Sequence, residues 1–134
     1  VVSHSKHHLH SYYVIRNSEL VGLTDREIEL IAVIARYHRK SAPKQSHAEF
    51  AQLSETDQKL VTSLAAILRI AIGLDRTQDG RVKSVTVRAE DDQFLIFAKA
   101  SAKADIELNL YAANERRNLL ADVLATKVKV LAIK

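Results

Sequence analysis

Between Arg36 and Lys44 the chain carries four cations, Arg36, Arg39, Lys40 and Lys44, with no acid among them, and the same stretch holds His38 and the only proline, Pro43. A guanidinium presents a planar bidentate fork and an ammonium a compact point charge, so such a run suits phosphate oxygens. A linear polyanion would meet several of these contacts in succession. The run also fits a solvated helix end, where cations offset the negative end of the macrodipole. Histidine is the second chemistry-bearing type, with four of the six in the first ten residues, His4, His7, His8 and His10. His4 and His8 lie one helical turn apart, a spacing that suits a metal ion held by neutral nitrogens at about 2.0–2.1 Å. A working site needs further ligands, and the alternative is a solvated end or a ring bonded to a backbone carbonyl. His38 follows Ile34 by four residues and Ile31 by seven, which puts it at the end of a buried helix face. It is either a core histidine with one satisfied nitrogen or a polar group in a cleft between helices.

Several chemistries are excluded. With no cysteine there are no disulfides, thiolate metal sites or cysteine nucleophiles, and three glycines, Gly22, Gly73 and Gly80, supply neither a phosphate-cradling loop nor a Gly-x-Ser-x-Gly elbow. Asp75, Arg76 and Asp79 read as a helix exit and connection or as a small polar site. Aromatic residues make up 5% of the chain, which leaves few stacking platforms, and nucleic acid is not an expected partner. The 134 residues, 47% hydrophobic, can fill a real core, and the net charge is +4. No apolar run approaches the roughly 20 residues needed to span a bilayer, so a soluble, cytoplasmic chain without membrane partners is expected. Methionine is absent and the chain opens on Val1, which reads as a piece of a longer polypeptide.

The elements that must position these residues follow from periodicity. Apolar residues at three- and four-residue steps predict a helix over about His7 to Leu20, packed through Tyr12, Tyr13, Ile15 and Leu20, with Gly22 just past its end. Thr24-Asp25-Arg26-Glu27 is a capping box opening a second helix, with Ile28, Ile31, Ala32, Ile34 and Ala35 as its buried face. Ser46-His47-Ala48-Glu49 reads as another box, before a short helix carrying Phe50 and Leu53. Ser54 to Asp57 caps a long helix, apolar nearly all round through Leu60, Val61, Leu64, Ile67, Leu68, Ala71 and Ile72, the expected centre of a bundle. After the polar stretch ending at Gly80 the period becomes two. Val82 to Val87, Phe94 to Phe97 and Ile106 to Leu110 are predicted strands, Ala112 to Ala125 a helix with Leu119, Leu120, Val123 and Leu124 inward, and Val128 to Ile133 a last strand. The expected class is α+β, a helical bundle over 1–76, a linker at 77–80 and a small β-β-β-α-β domain over 81–134.

Four blocks in order then carry a resemblance: His7-His8-Leu9-His10-Ser11-Tyr12-Tyr13-Val14-Ile15-Arg16-Asn17, Thr24-Asp25-Arg26-Glu27-Ile28, Ala35-Arg36-Tyr37-His38-Arg39-Lys40-Ser41-Ala42-Pro43 and Leu68-Arg69-Ile70-Ala71-Ile72-Gly73-Leu74-Asp75-Arg76. Spanning most of the first 76 residues, they resemble the carboxy-terminal part of the exopolyphosphatase / guanosine pentaphosphate phosphohydrolase family. The resemblance implies that the helical part is HD-like and that catalysis, with Mg²⁺, resides in amino-terminal actin-like domains absent from this chain. It also implies that the carboxy-terminal part extends the path for a long polyphosphate and helps to form a homodimer. The metal site of HD proteins would draw on His7, His10, His38 and Asp75 here, its His-Asp pair falling upstream of Val1. Its late Asp is replaced by Ile72, which cannot ligate a metal and is expected to pack, so any such site is vestigial and no metal is expected in this chain.

The functional expectation is a substrate-binding, regulatory and dimerisation region of a hydrolase acting on polyphosphate or guanosine pentaphosphate, catalytically silent by itself. Arg36, His38, Arg39, Lys40 and Lys44 would hold the polyanion and deliver its end to the amino-terminal catalytic domains. The alternatives are a metal-dependent HD-type phosphohydrolase, a pure dimerisation module and a nucleic-acid binder.

Overall fold

The structure is a computed structural model describing residues 7–39 and 41–133, apart from the side chains of His7 and His8. Six helices and three strands follow in the order α1 (His7–Arg16), α2 (Asp25–Arg36), α3 (Ala48–Ala51), α4 (Glu55–Leu74), β1 (Val82–Ala89), β2 (Gln93–Ala100), α5 (Glu107–Glu115), α6 (Asn118–Leu124) and β3 (Lys127–Ala132). The chain divides into two compact units, Val1–Ala65 and Ala66–Lys134, the division falling within α4. The α+β class is the one expected.

In the first unit α1 packs against α2. Tyr12, 7% exposed, donates its hydroxyl to Glu29 at 2.9 Å, and Arg16 meets Glu29 at 2.7 Å and Asp25 at 3.0 Å. Helix α1 is shorter than its apolar pattern suggested. Asn17 and Ser18 turn their side chains onto the Tyr13 and Val14 carbonyls, a local competition with the helix that ends it four residues before Leu20. Tyr13 and Leu20 are exposed rather than packed. Helix α2 opens on the expected capping box, Thr24 accepting from the Glu27 amide while the Glu27 carboxylate accepts from the Thr24 amide. Its buried line is Leu30, Ala32, Val33 and Arg36; Ile31, expected inside, is on the outer side. The box expected at Ser46 does not form, for the N-cap of α3 is His47 and makes no side-chain cap bond. Gln58 closes the other end of α3, its amide donating to the carbonyls of Phe50 and Leu53. Ser54 caps α4 through the Asp57 amide at 3.1 Å.

Helix α4 is not buried all round. Val61, Ala65, Ala66, Ile70 and Leu74 are covered, whereas Leu60, Leu64, Ile67 and Ile72 are more than a third exposed. Ile72, expected to pack, lies on this outer stripe.

In the second unit β1 and β2 form an antiparallel hairpin closed by the Glu90 amide on the Gln93 carbonyl at 2.8 Å. A crossover through α5 and α6 then brings β3 parallel to β2, giving the order β1-β2-β3. The strand expected at Ile106 to Leu110 is instead the start of α5. Its alternation placed Asn109 outside, yet Asn109 is 1% exposed and donates to the Leu74 carbonyl at 2.8 Å and to Thr77 at 3.1 Å, while Leu108 is the exposed one. Ile106, Asn109, Ala112 and Ala113 share a buried line at helical spacing. The single helix expected over Ala112 to Ala125 is two, broken at Arg116 and Arg117. Leu119 and Leu120 point inward, but Val123 and Leu124 do not. The order is therefore β-β-α-α-β. Ile96 and Ala98 of β2 with Val128 and Val130 of β3 bury one face of the sheet, each large aliphatic contributing about 1.5–3 kcal/mol.

Candidate functional site

The basic run begins in the last turn of α2, and local structure sorts its members. Arg36 faces inward, 8% exposed, and its guanidinium donates to the Glu49 carboxylate on α3. The same guanidinium lies 5.4 Å from the centre of the Tyr37 ring, and its Nε has no hydrogen-bond partner among the described residues. Tyr37 is fully buried. Its ring stacks on His47 at 5.6 Å and meets the edge of Phe50 at 6.1 Å.

The Tyr37 hydroxyl lies 2.6 Å from His47 Nδ1. Burial pushes the phenol up from its ordinary value, so it keeps its proton and donates. Partial burial, then the nearby charges of Arg36 and Lys44, hold the His47 imidazole below its ordinary value, which keeps Nδ1 an acceptor. The two shifts favour the same direction of hydrogen bond.

Arg39 and Lys44 are exposed. His38 is half-buried and its Nδ1 bonds the Ala35 carbonyl one turn back, the arrangement of a histidine finishing its own helix. Lys40 lies outside the described residues. Arg36 and Arg39 thus do different things: one closes α2 onto α3 and the other meets solvent. Glu49, Tyr37 and His47 belong to the same cluster and were not singled out from sequence. The adjacency of Tyr37 to Arg36 was the available signal, whereas the return of His47 depends on how residues 38–46 close.

Of the histidine set, part falls on described residues. His4 lies outside the described residues, as do the side chains of His7 and His8, and His10 is exposed on α1. Asp75 follows α4 in the second unit, exposed, with its amide on the Ala71 carbonyl at 3.0 Å. Among the described residues no three His, Asp or Glu side chains gather in a way that could hold a metal ion. No helix among them is long and apolar enough to cross a membrane.

The arrangement at the end of α2 offers exposed cations beside a clamped guanidinium and a neutral imidazole. The site lies in the helical unit, which a small sheet with two crossover helices follows in the chain.

The family described as Ppx/GppA phosphatase, domain III, matches residues 1–127. The chain belongs to the Ppx/GppA phosphatase family. A curated relative, the guanosine-5'-triphosphate,3'-diphosphate pyrophosphatase of Pseudoalteromonas translucida (strain TAC 125), is 28% identical over 93 residues, 69% of this chain. The matched part is 18% of that relative's length.

Proposed function

We propose that this chain is the substrate-binding and regulatory region of a phosphoanhydride hydrolase acting on polyphosphate or guanosine pentaphosphate, with catalysis and its Mg²⁺ in other domains of the same protein. The observation that carries the reading is the exposure of Arg39 and Lys44 beside Arg36, with the one acid of the cluster, Glu49, taken up by Arg36. Successive phosphates would meet Arg39, Lys40 and Lys44, and holding the chain there raises the effective concentration of its end at the catalytic domains. Arg36, paired with Glu49, then acts as the clamp that holds α2 to α3 behind the exposed cations. The helical unit is read as HD-like and, in this chain, without a working metal site.

Calorimetric titration with long-chain polyphosphate across a salt series tests this. Binding by the wild type should weaken steeply with salt, and an Arg39/Lys40/Lys44 triple alanine variant should lose about 2 from the slope of log K against log salt, near 0.7 per phosphate contact. Equal affinities and slopes for the two proteins would assign the polyanion path elsewhere.

A homodimerisation role is favoured by a separate observation in the second unit. An apolar cavity of about 480 Å³ opens there, with Ile67, Val85, Val87, Phe94 and Leu124 among its lining residues. Val87 is 61% exposed and Ile67 53%, an uncovered apolar edge of the kind a second copy covers. Sedimentation should find a dimer that Val87→Asp dissociates; a monomeric wild type at all concentrations would remove the dimer from the proposal.

A further inference from the structure

The sheet of the second unit has a second face, and register brings together on it residues that are far apart in sequence. Thr86, Phe97 and Leu131 pair across the three strands, and so do Arg88, Leu95 and Lys129. Ser84 pairs with Lys99 on one side of these rows and Gln93 with Lys127 on the other. Strand alternation puts all of them opposite the face that carries Ile96, Ala98, Val128 and Val130. The result is a half-buried Phe97 ring and an exposed Leu131, with Leu95 buried, set among Arg88, Lys99, Lys127 and Lys129.

Lys99, Lys127 and Lys129 are exposed and have no ion-pair partner among the described residues. Arg88 lies with its guanidinium 5.2 Å from the centre of the Phe97 ring and pairs with Glu90 at 3.1 Å. That pair is solvent-exposed and therefore weak enough for a phosphate to displace the carboxylate. Beyond Lys127 and Lys129 the surface runs into a shallow depression that Arg117 and Lys127 also line, together with Asp122.

We infer that this open sheet face binds a short stretch of single-stranded nucleic acid. The cations match phosphates at its margins, while the Arg88–Phe97 stack and the exposed Leu131 offer flat surface to unstacked bases. An inorganic polyphosphate would find the charges but would make no use of the Arg88–Phe97 stack or of Leu131. A duplex keeps its base faces stacked inside and would use only the cations. Strands about 4.8 Å apart make the three-strand face roughly 10 Å wide, which admits about two or three nucleotides. Composition gave no hint of this, because one phenylalanine and three lysines become a surface only through strand pairing.

Fluorescence anisotropy with a labelled oligouridylate octamer tests the inference on the whole chain, with an octamer duplex and polyphosphate of equal charge as competitors. Phe97→Leu keeps an apolar side chain and removes the ring, and should weaken the single strand at least about tenfold while leaving polyphosphate competition unchanged. Lys99→Glu/Lys129→Glu should weaken the single strand and lower its salt slope by about 1 or more. Far-UV circular dichroism on each variant reports folding. No binding of the single strand, equal binding of the duplex, or wild-type affinity in folded Phe97→Leu would each overturn the inference. The polyphosphate titration of Arg39/Lys40/Lys44 concerns the other unit, so either proposal can fail without the other.

Discussion

Gly73 on α4 meets Ala113 on α5 so closely that a Cβ at position 73 would fall 2.6 Å from the Ala113 Cα and 2.8 Å from the Ala112 carbonyl carbon. The neighbouring atoms are backbone and cannot rotate aside. In the second unit this glycine is therefore what allows α5 to seat against the carboxyl end of α4. Gly73→Ala gains helix propensity of about 1 kcal/mol, yet the clash forces the helices apart. The net expectation is a loss of about 1–3 kcal/mol, read as a lowered denaturation midpoint with unchanged helix content at low denaturant. A midpoint equal to or above wild type would show that the contact relaxes without cost.

Asn109 fixes the same junction through its bonds to the Leu74 carbonyl and Thr77, at 1% exposure. Asn109→Leu should cost about 1–3 kcal/mol, because a buried carbonyl at the end of α4 loses its donor. Chemical denaturation checks the size, and hydrogen exchange should locate the loosening at the last turn of α4.

Breaking the Arg36–Glu49 pair should be more severe. The Arg36 side chain is 9% exposed, so Glu49→Ala strands a guanidinium with little access to water. The expected loss is about 3–5 kcal/mol. A double variant Arg36→Met/Glu49→Leu should recover much of it, since an apolar pair of similar volume has no charge to desolvate. A thermal-melt double-mutant cycle separates the two outcomes: additive losses would mean that the pair does not couple α2 to α3.

Two pH dependences have different leading causes and the same sign. Glu27, held below its ordinary value first by its bond from the Thr24 amide, contributes stability that is present above its unfolded pKa and lost as pH falls through its folded one. The difference in melting temperature between wild type and Glu27→Gln should therefore close in acid. Thr24→Ala, which removes the cap itself, should cost about 0.5–2 kcal/mol at neutral pH.

His47, lowered mainly by burial, favours the neutral ring in the folded state. Stability from this group is full above its unfolded pKa near 6.5 and is lost as pH falls from there through the folded value. NMR titration should place His47 below a free histidine. If a polyanion settles by Lys44, its charge should raise that midpoint, and an unchanged midpoint at saturating polyphosphate would count against binding there.

What sequence could and could not show has physical causes. The Thr24 box and the Ser54 cap were legible because both ends of each bond lie within four residues. The start of α5 was not, because Leu108 and Asn109 reverse their usual places: a carbonyl 35 residues away and a threonine hydroxyl take up the Asn109 amide nitrogen, while its buried Oδ1 has no partner among the described residues. Ile31 and Ile72 were placed inside on helical apolar spacing, and both are exposed. At the basic run, spacing identified the cations but not their division, since only the position of Glu49 separates Arg36 from Arg39. The partnership of Tyr37 with His47 spans ten residues of irregular chain and left no periodic trace.

The sheet of the second unit also has two unlike rims. On β3, the Asn114 side chain imitates a neighbouring strand, donating to the Val130 carbonyl at 2.9 Å and accepting from the Val130 amide at 3.0 Å. That occupies the two backbone groups through which a fourth strand would join at this point. The β1 rim has no such plug among the described residues; it carries a register irregularity between Val82 and Ser84, with Lys83 between them. A bulge and a lysine there break the flat template that templated aggregation requires, so the one rim is blocked by hydrogen bonding and the other by shape and charge. Straightening β1 by deleting Lys83 should leave the hairpin paired and yet turn a protein that stays dispersed into one that seeds fibrils from this side.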